Sequence, residues 1–216
     1  MKLFSRDFFR LRESVPAILL ILAISSIVIG LMLVLHFWKG IPFSHLTRDP
    51  ISIGKLSFYS GFLSQVGIFF WSATVAICYF GVTVLRSRPD LQKLRAFLFC
   101  SALLSTMLGI DDAFLLHEEV FPYYLGIPQN LVLASYVVFV LLYLYKFLPV
   151  ILLTEYMLLL ISLSFFALSV FLDVVHLPGI NPYLLEDSAK LIGLVSWLTY
   201  FFRATEYSVK LTMKKN

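Results

Sequence analysis

Residues 94–116 read LRAFLFCSALLSTMLGIDDAFLL: 23 residues with one arginine at the entrance, two aspartates near the exit and an otherwise apolar or small-residue interior. A spanning helix needs about 20 mostly apolar residues, so this stretch reads as a membrane span ending in acid. Five more runs of the same kind fall at about 15–38, 58–85, 130–148, 152–175 and 183–202. Composition agrees, with 60% apolar residues, 14% charged residues and a mean hydropathy of +0.89, which excludes a soluble globular chain. The expected fold is all-α: a polytopic membrane protein forming a single six-helix transmembrane domain over 1–216. The first run is too long for the apolar core of a signal peptide and lacks a small-x-small cleavage site, so it is expected to stay as a helix.

The short connections give an orientation. Thirteen of the 17 basic residues, among them Lys2, Arg6, Arg10, Arg12, Arg86, Arg88, Lys93, Arg95, Arg203 and Lys210, fall on one side with five acids, a net +8. By the positive-inside rule that side, with both termini, is cytoplasmic. The opposite side carries a net −4 and all four histidines, His36, His45, His117 and His176. The expected location is a prokaryotic cell (inner) membrane, with the chemistry on the non-cytoplasmic face. Nucleic acid is excluded as a partner, membrane lipid is expected as a contact and a possible substrate, and the oligomeric state is unread. Cys78 and Cys100 sit at mismatched depths in spans two and three and read as free thiols.

Three segments bring ionisable groups to that outer face. Span three ends Gly109-Ile-Asp111-Asp112-Ala-Phe-Leu-Leu-His117-Glu118-Glu119, span five ends Asp173-Val-Val-His176, and span six begins Asn181-Pro-Tyr-Leu-Leu-Glu186-Asp187-Ser-Ala-Lys190. Ionisable groups within spans are costly and face a bundle interior or a wet cavity. Helical phase groups Ser101, Ser105, Gly109 and Asp112 on one face of small residues, with His117 on the adjoining row, which is the signature of close helix approach. The same phase puts Asp111 and Glu118 on a lipid-like face. Asn181 and Pro182 suit the start of span six, and Glu186 precedes Lys190 by four residues, the favourable ion-pair order.

Asp112, His117, Asp173 and His176 form a candidate metal set. Carboxylate with imidazole suits zinc, manganese or iron, and calcium is possible. Glu186 and Lys190 are the candidate catalytic pair, the carboxylate as general base and the ammonium as stabiliser of developing negative charge. The expected function is a metal-dependent hydrolase acting on a lipid or another membrane-accessible substrate. A cation, proton or small-molecule transporter and a non-catalytic binding or assembly subunit are the alternatives.

The outer cluster loosely resembles the membrane-embedded hydrolases of the alkaline ceramidase and adiponectin-receptor type, whose zinc is held by histidines near one membrane face. Their late His-x-x-x-His pair and seven helices have no counterpart here, and no residue is carried over. Glu186-Asp-Ser-Ala-Lys190 also resembles the Asp-x-Ser-Ala-Lys of microbial rhodopsins, whose lysine binds retinal, but six spans are expected here rather than seven.

Overall fold

The computed structural model describes the backbone of residues 2–174 and 182–213, and side chains within 14–173 and 184–213. Every regular element among the described residues is helical. Contacts divide the chain into two compact units, Met1–Ser60 and Gly61–Asn216.

The first unit holds α1 (Lys2–Lys39), α2 (Phe43–Thr47) and α3 (Pro50–Gly54). Its long helix contains Ser14–Lys39, long and apolar enough to cross a membrane. Where α1 ends, the His36 ring stacks on Phe43 at 3.7 Å between centroids, and its Nδ1 pairs with the Ile41 carbonyl at 2.8 Å. The connection after α1 thus contains two short helices. Asp49 caps α3 by accepting from the amides of Ile51 and Ser52, satisfying two of the donors that every helix start leaves open.

The second unit comprises α4 (Phe62–Val84), α5 (Gln92–Phe114), α6 (Phe121–Leu125), α7 (Gln129–Ile151), α8 (Tyr156–Val174) and α9 (Pro182–Met213). The segments Phe62–Ser87, Pro89–Phe114, Gln129–Ile151 and Tyr156–Asp173 also qualify as spans by length and composition, making five among the described residues. The helix that contains the expected sixth span is continuous but falls short on composition. It carries Glu186, Asp187 and Lys190 near one end and Arg203, Glu206 and Lys210 near the other.

Packing follows the small residues, because helices already in lipid gain from close van der Waals contact rather than from leaving water. On α4 the buried residues Gly67, Trp71, Thr74, Cys78 and Gly81 recur at spacings of three and four. Gly81 admits Leu98 and Thr205, Gly109 admits Trp71, and Gly193 admits Phe166. Ser101 and Ser105 are fully buried, as the small-residue face of span three requires. They also anchor neighbours: Ser101 pairs with the Tyr143 hydroxyl at 2.7 Å, and Trp197 Nε1 donates to Ser105 Oγ at 3.0 Å. Ser162 donates to the carbonyl of Gly193 at 2.8 Å. Around these bonds Trp71, Phe166, Trp197 and Phe201 pack edge-on and stacked at centroid separations of 4.9 to 6.2 Å. Cys78 and Cys100 are free thiols.

The ends of this unit differ in charge. Near the end of α9, Arg203 pairs with Glu155 and Glu206, and Lys210 pairs with Glu206. Arg88 donates to the Leu211 carbonyl at 2.9 Å and pairs with Asp90. Arg203 lies 13 residues and Lys210 20 residues beyond Lys190 in α9, the latter about 30 Å along a helix that rises 1.5 Å per residue. That separation is about the thickness of a bilayer's hydrocarbon core.

Candidate functional site

The end of α5, the first turns of α4 and α9, the start of α7 and the end of α8 meet at the Lys190 end of the unit. Asp112 is the centre of the arrangement. It is 8% exposed, and each of its oxygens has a partner on a different helix. Oδ1 accepts from Lys190 Nζ at 2.5 Å, and Oδ2 accepts from Trp71 Nε1 at 3.2 Å. An ion cannot be left alone in so dry a place, and here the pairing ties α5 to α4 and α9 together.

The pair opens on a pocket of about 40 Å³ lined by Leu63, Ser64, Gly67, Asp112, Asp187, Lys190, Leu191 and Leu194. This exceeds the volume one water needs and suits a small polar group beside apolar walls. Gly67 keeps the pocket open, since a Cβ there would stand 3.2 Å from Leu194 and 3.5 Å from Asp112 Oδ2.

A second network is built on Asp111. Its Oδ1 accepts from the Tyr136 hydroxyl at 2.7 Å and from the His117 amide at 3.0 Å, and Oδ2 pairs with His117 Nδ1 at 2.5 Å. The opposite ring nitrogen faces Glu118 at 3.3 Å. This overturns the helical-phase expectation that Asp111 faces lipid, since it is 5% exposed. The reason is local. Leu115 adopts φ of 50° and ends α5, and a π-helical turn, Leu116–Val120, follows. A continuous α-helix would put residues six apart on different faces; the reversal at Leu115 swings His117 back onto Asp111.

His117 lies beyond the span, in the π-helical turn after α5. Burial works against the imidazolium, but the hydrogen bonds to Asp111 and Glu118 outweigh it and push the pKa up to about 9. Glu118 is held below the ordinary carboxylate range chiefly by its hydrogen bond to His117. A raised cationic pKa stabilises the fold fully below the ordinary histidine value near 6.5, and that contribution is lost as pH rises through about 9. We therefore expect resistance to unfolding to fall between pH 6.5 and 9.5 by about 1–2 kcal/mol after allowance for solvent screening. Unfolding midpoints of wild type and His117→Gln across that range check this; the variant's profile should be flatter.

The sequence-predicted residues are therefore divided between networks. Asp112 and Lys190 are bonded to each other, whereas His117 belongs with Asp111. Lys190 binds Asp112 rather than Glu186, the partner suggested by spacing along the helix, although Glu186 is near enough for its charge to be felt. Asp173 accepts from Gln129 Nε2 at 3.4 Å, and its charge also acts on Glu186. Pro182 begins α9 as expected, while His176 and Asn181 lie outside the described residues. Among the described residues, no three His, Cys, Asp or Glu side chains are grouped to hold a metal ion. Ser64, Gly67, Trp71, Gln129 and Tyr136 join the site without having been singled out. Gly67 shares a seven-residue spacing with the small residues Thr74 and Gly81 along α4, a signal available in the sequence.

A family model described as a domain of unknown function (DUF8692) matches residues 17–204. The chain belongs to the DUF8692 family. The DUF8692 match spans both networks, from Ser64 through Lys190, and ends before Glu206 and Lys210. No curated protein and no solved structure matches the chain.

Proposed function

We propose that this DUF8692 protein is an integral membrane protein of six spans with cytoplasmic termini, whose outer-face pocket binds the polar group of a membrane-accessible molecule. The observation that carries this reading is the Asp112–Lys190 pair opening on a walled pocket. Convergent polar groups in an otherwise apolar concavity are the usual form of a small-molecule site. The excess of basic residues at the opposite end of the unit, Arg86, Arg88, Lys93, Arg95, Lys146, Arg203 and Lys210 against Asp90, Glu155 and Glu206, supports the orientation. The sixth span is the α9 stretch at about 183–202, where Trp197, Tyr200 and Phe201 are buried.

The test is to release the full-length protein from its native membrane in polymer discs and weigh it intact. We expect a bound small molecule or lipid at about one per chain, absent from Gly67→Leu, whose side chain would fill the pocket. An adduct of equal abundance in both proteins, or in neither, contradicts the reading.

Hydrolysis is a second reading, favoured by one observation: the carboxylates of Asp173 and Glu186 lie close enough for their like charges to act on each other. A divalent cation would relieve that repulsion. Two described carboxylates are fewer protein ligands than the three of a catalytic zinc site. Metal analysis of the same preparations bears on this reading. At least one zinc, manganese or iron per chain in wild type and a loss in Asp173→Asn support it, and trace metal in both removes it.

A further inference from the structure

The charges around the pocket are unequal in a way that bears on what enters it. Lys190 lies within electrostatic reach of Asp112, Glu118, Asp187 and Glu186. It is the one cation among the pocket-lining residues, and it is already bonded to Asp112. Trp71 occupies the other Asp112 oxygen, so this pair offers the pocket little net charge. Asp187 is different: it lines the same pocket, is exposed, and among the described residues has no hydrogen-bond or ion-pair partner. The lining therefore carries a surplus negative charge at Asp187, with Glu118 adding to the field felt there. An anionic group entering would meet these carboxylates with Lys190 already engaged.

The walls narrow the choice further. Leu63, Leu191 and Leu194 can lie against methylene groups, while Ser64 and Asp187 accept hydrogen bonds. An ammonium has three donors to place, and burying it requires such acceptors and an opposite charge. A quaternary ammonium has no N–H donor to satisfy them, and a volume of about 40 Å³ favours the smaller group.

Building on the pocket reading above, we propose that the pocket selects a primary ammonium group on a short alkyl stem, with Asp187 as the residue that recognises it. The group can arrive on a lipid headgroup of the ethanolamine type or as a free soluble amine.

The experiment follows thermal unfolding of the full-length protein in an uncharged detergent at pH 7.4. Ethanolamine hydrochloride, tetramethylammonium chloride, sodium phosphate and sodium chloride are titrated at matched ionic strength. We expect ethanolamine alone to raise the midpoint, by roughly 5–10 °C once it exceeds its Kd about 100-fold, with Asp187→Asn abolishing the rise. Discs of phosphatidylethanolamine and of phosphatidylcholine distinguish the source. A midpoint higher in the former for wild type but not for Asp187→Asn identifies a lipid headgroup, whereas a response to free ethanolamine alone identifies a soluble amine. An equal rise with tetramethylammonium, or an ethanolamine rise that persists in Asp187→Asn, overturns the inference. If phosphate stabilises and ethanolamine does not, the pocket reading stands and the ammonium inference falls. If no probe and neither disc lipid changes the midpoint, both fall.

Discussion

Replacing Lys190 with methionine is expected to cost about 2–4 kcal/mol of stability, because it removes one partner of a pair whose other member is buried. Asp112 is 9% exposed at its side chain and Lys190 is 35% exposed, so the carboxylate bears most of the loss. Trp71 would still donate to Oδ2, but one neutral donor does not replace an ammonium. Asp112→Ala should be less damaging, since the freed ammonium is exposed enough to regain water and has Asp187 and Glu118 within electrostatic reach. Unfolding in mixed micelles at pH 7 measures both. Equal, small losses of less than about 0.5 kcal/mol would place this pair with ordinary exposed salt bridges. The expected asymmetry separates a buried anion that needs its cation from two surface charges that happen to be close.

The second large effect is expected at Gly109. A Cβ built there lies 2.9 Å from Trp71 Cβ and 3.2 Å from its Cγ. The nearest atom is fixed to the α4 backbone, so a rotamer change cannot clear it and the helices must separate. Gly109→Ala should cost about 1–3 kcal/mol, the range for overpacking a close contact, and Gly109→Val more. The same displacement moves Trp71 Nε1 away from Asp112, so the pocket should be disturbed along with the fold. By contrast, Gly30→Ala meets nothing within 4 Å and should be neutral or slightly favourable within its helix. Thermal midpoints of the three variants provide the comparison; equal behaviour of the Gly109 and Gly30 variants contradicts the close α4–α5 contact.

The helices were largely legible because each was a long apolar run, and five of the six expected spans meet the length and composition needed to cross a membrane. The packed face of α5 was legible for a different reason. Ser101, Ser105, Gly109 and Asp112 repeat with the period of the helix, and the structure buries Ser101, Ser105 and Asp112 and brings Trp71 against Gly109. That rule holds only while the helix continues. At Leu115 the backbone enters the left-handed region, and nothing in Phe114-Leu115-Leu116 announces it: leucine has no special preference for that conformation. Extending helical phase past this point puts His117 beside Asp112; Asp111, still within α5, is buried because the reversed segment and Tyr136 of α7 fold over it. The stop is instead paid for by tertiary bonds, with Tyr136 and the His117 amide and ring all held by Asp111.

The partner of Lys190 was hidden for a related reason. Spacing along α9 favours Glu186, but a pair within one helix exposed to water gains only a few tenths of a kcal/mol. Asp112 comes from a different helix and is far more buried, so satisfying its charge takes precedence. Sequence spacing identifies possible local partners, while burial on a neighbouring helix decides which one is used. The convergence of the ends of α5 and α9 was nevertheless readable from where their ionisable residues fall.

The most direct test of the site is a double-mutant cycle on Asp112 and Lys190, with Asp112→Asn, Lys190→Met and the double variant unfolded alongside wild type in mixed micelles. The bonded pair predicts a coupling energy of about 2 kcal/mol and a double variant more stable than Lys190→Met alone, because the buried carboxylate charge has gone. Losses that add to within about 0.3 kcal/mol, with the double variant less stable than either single one, would contradict the pairing on which the pocket is built.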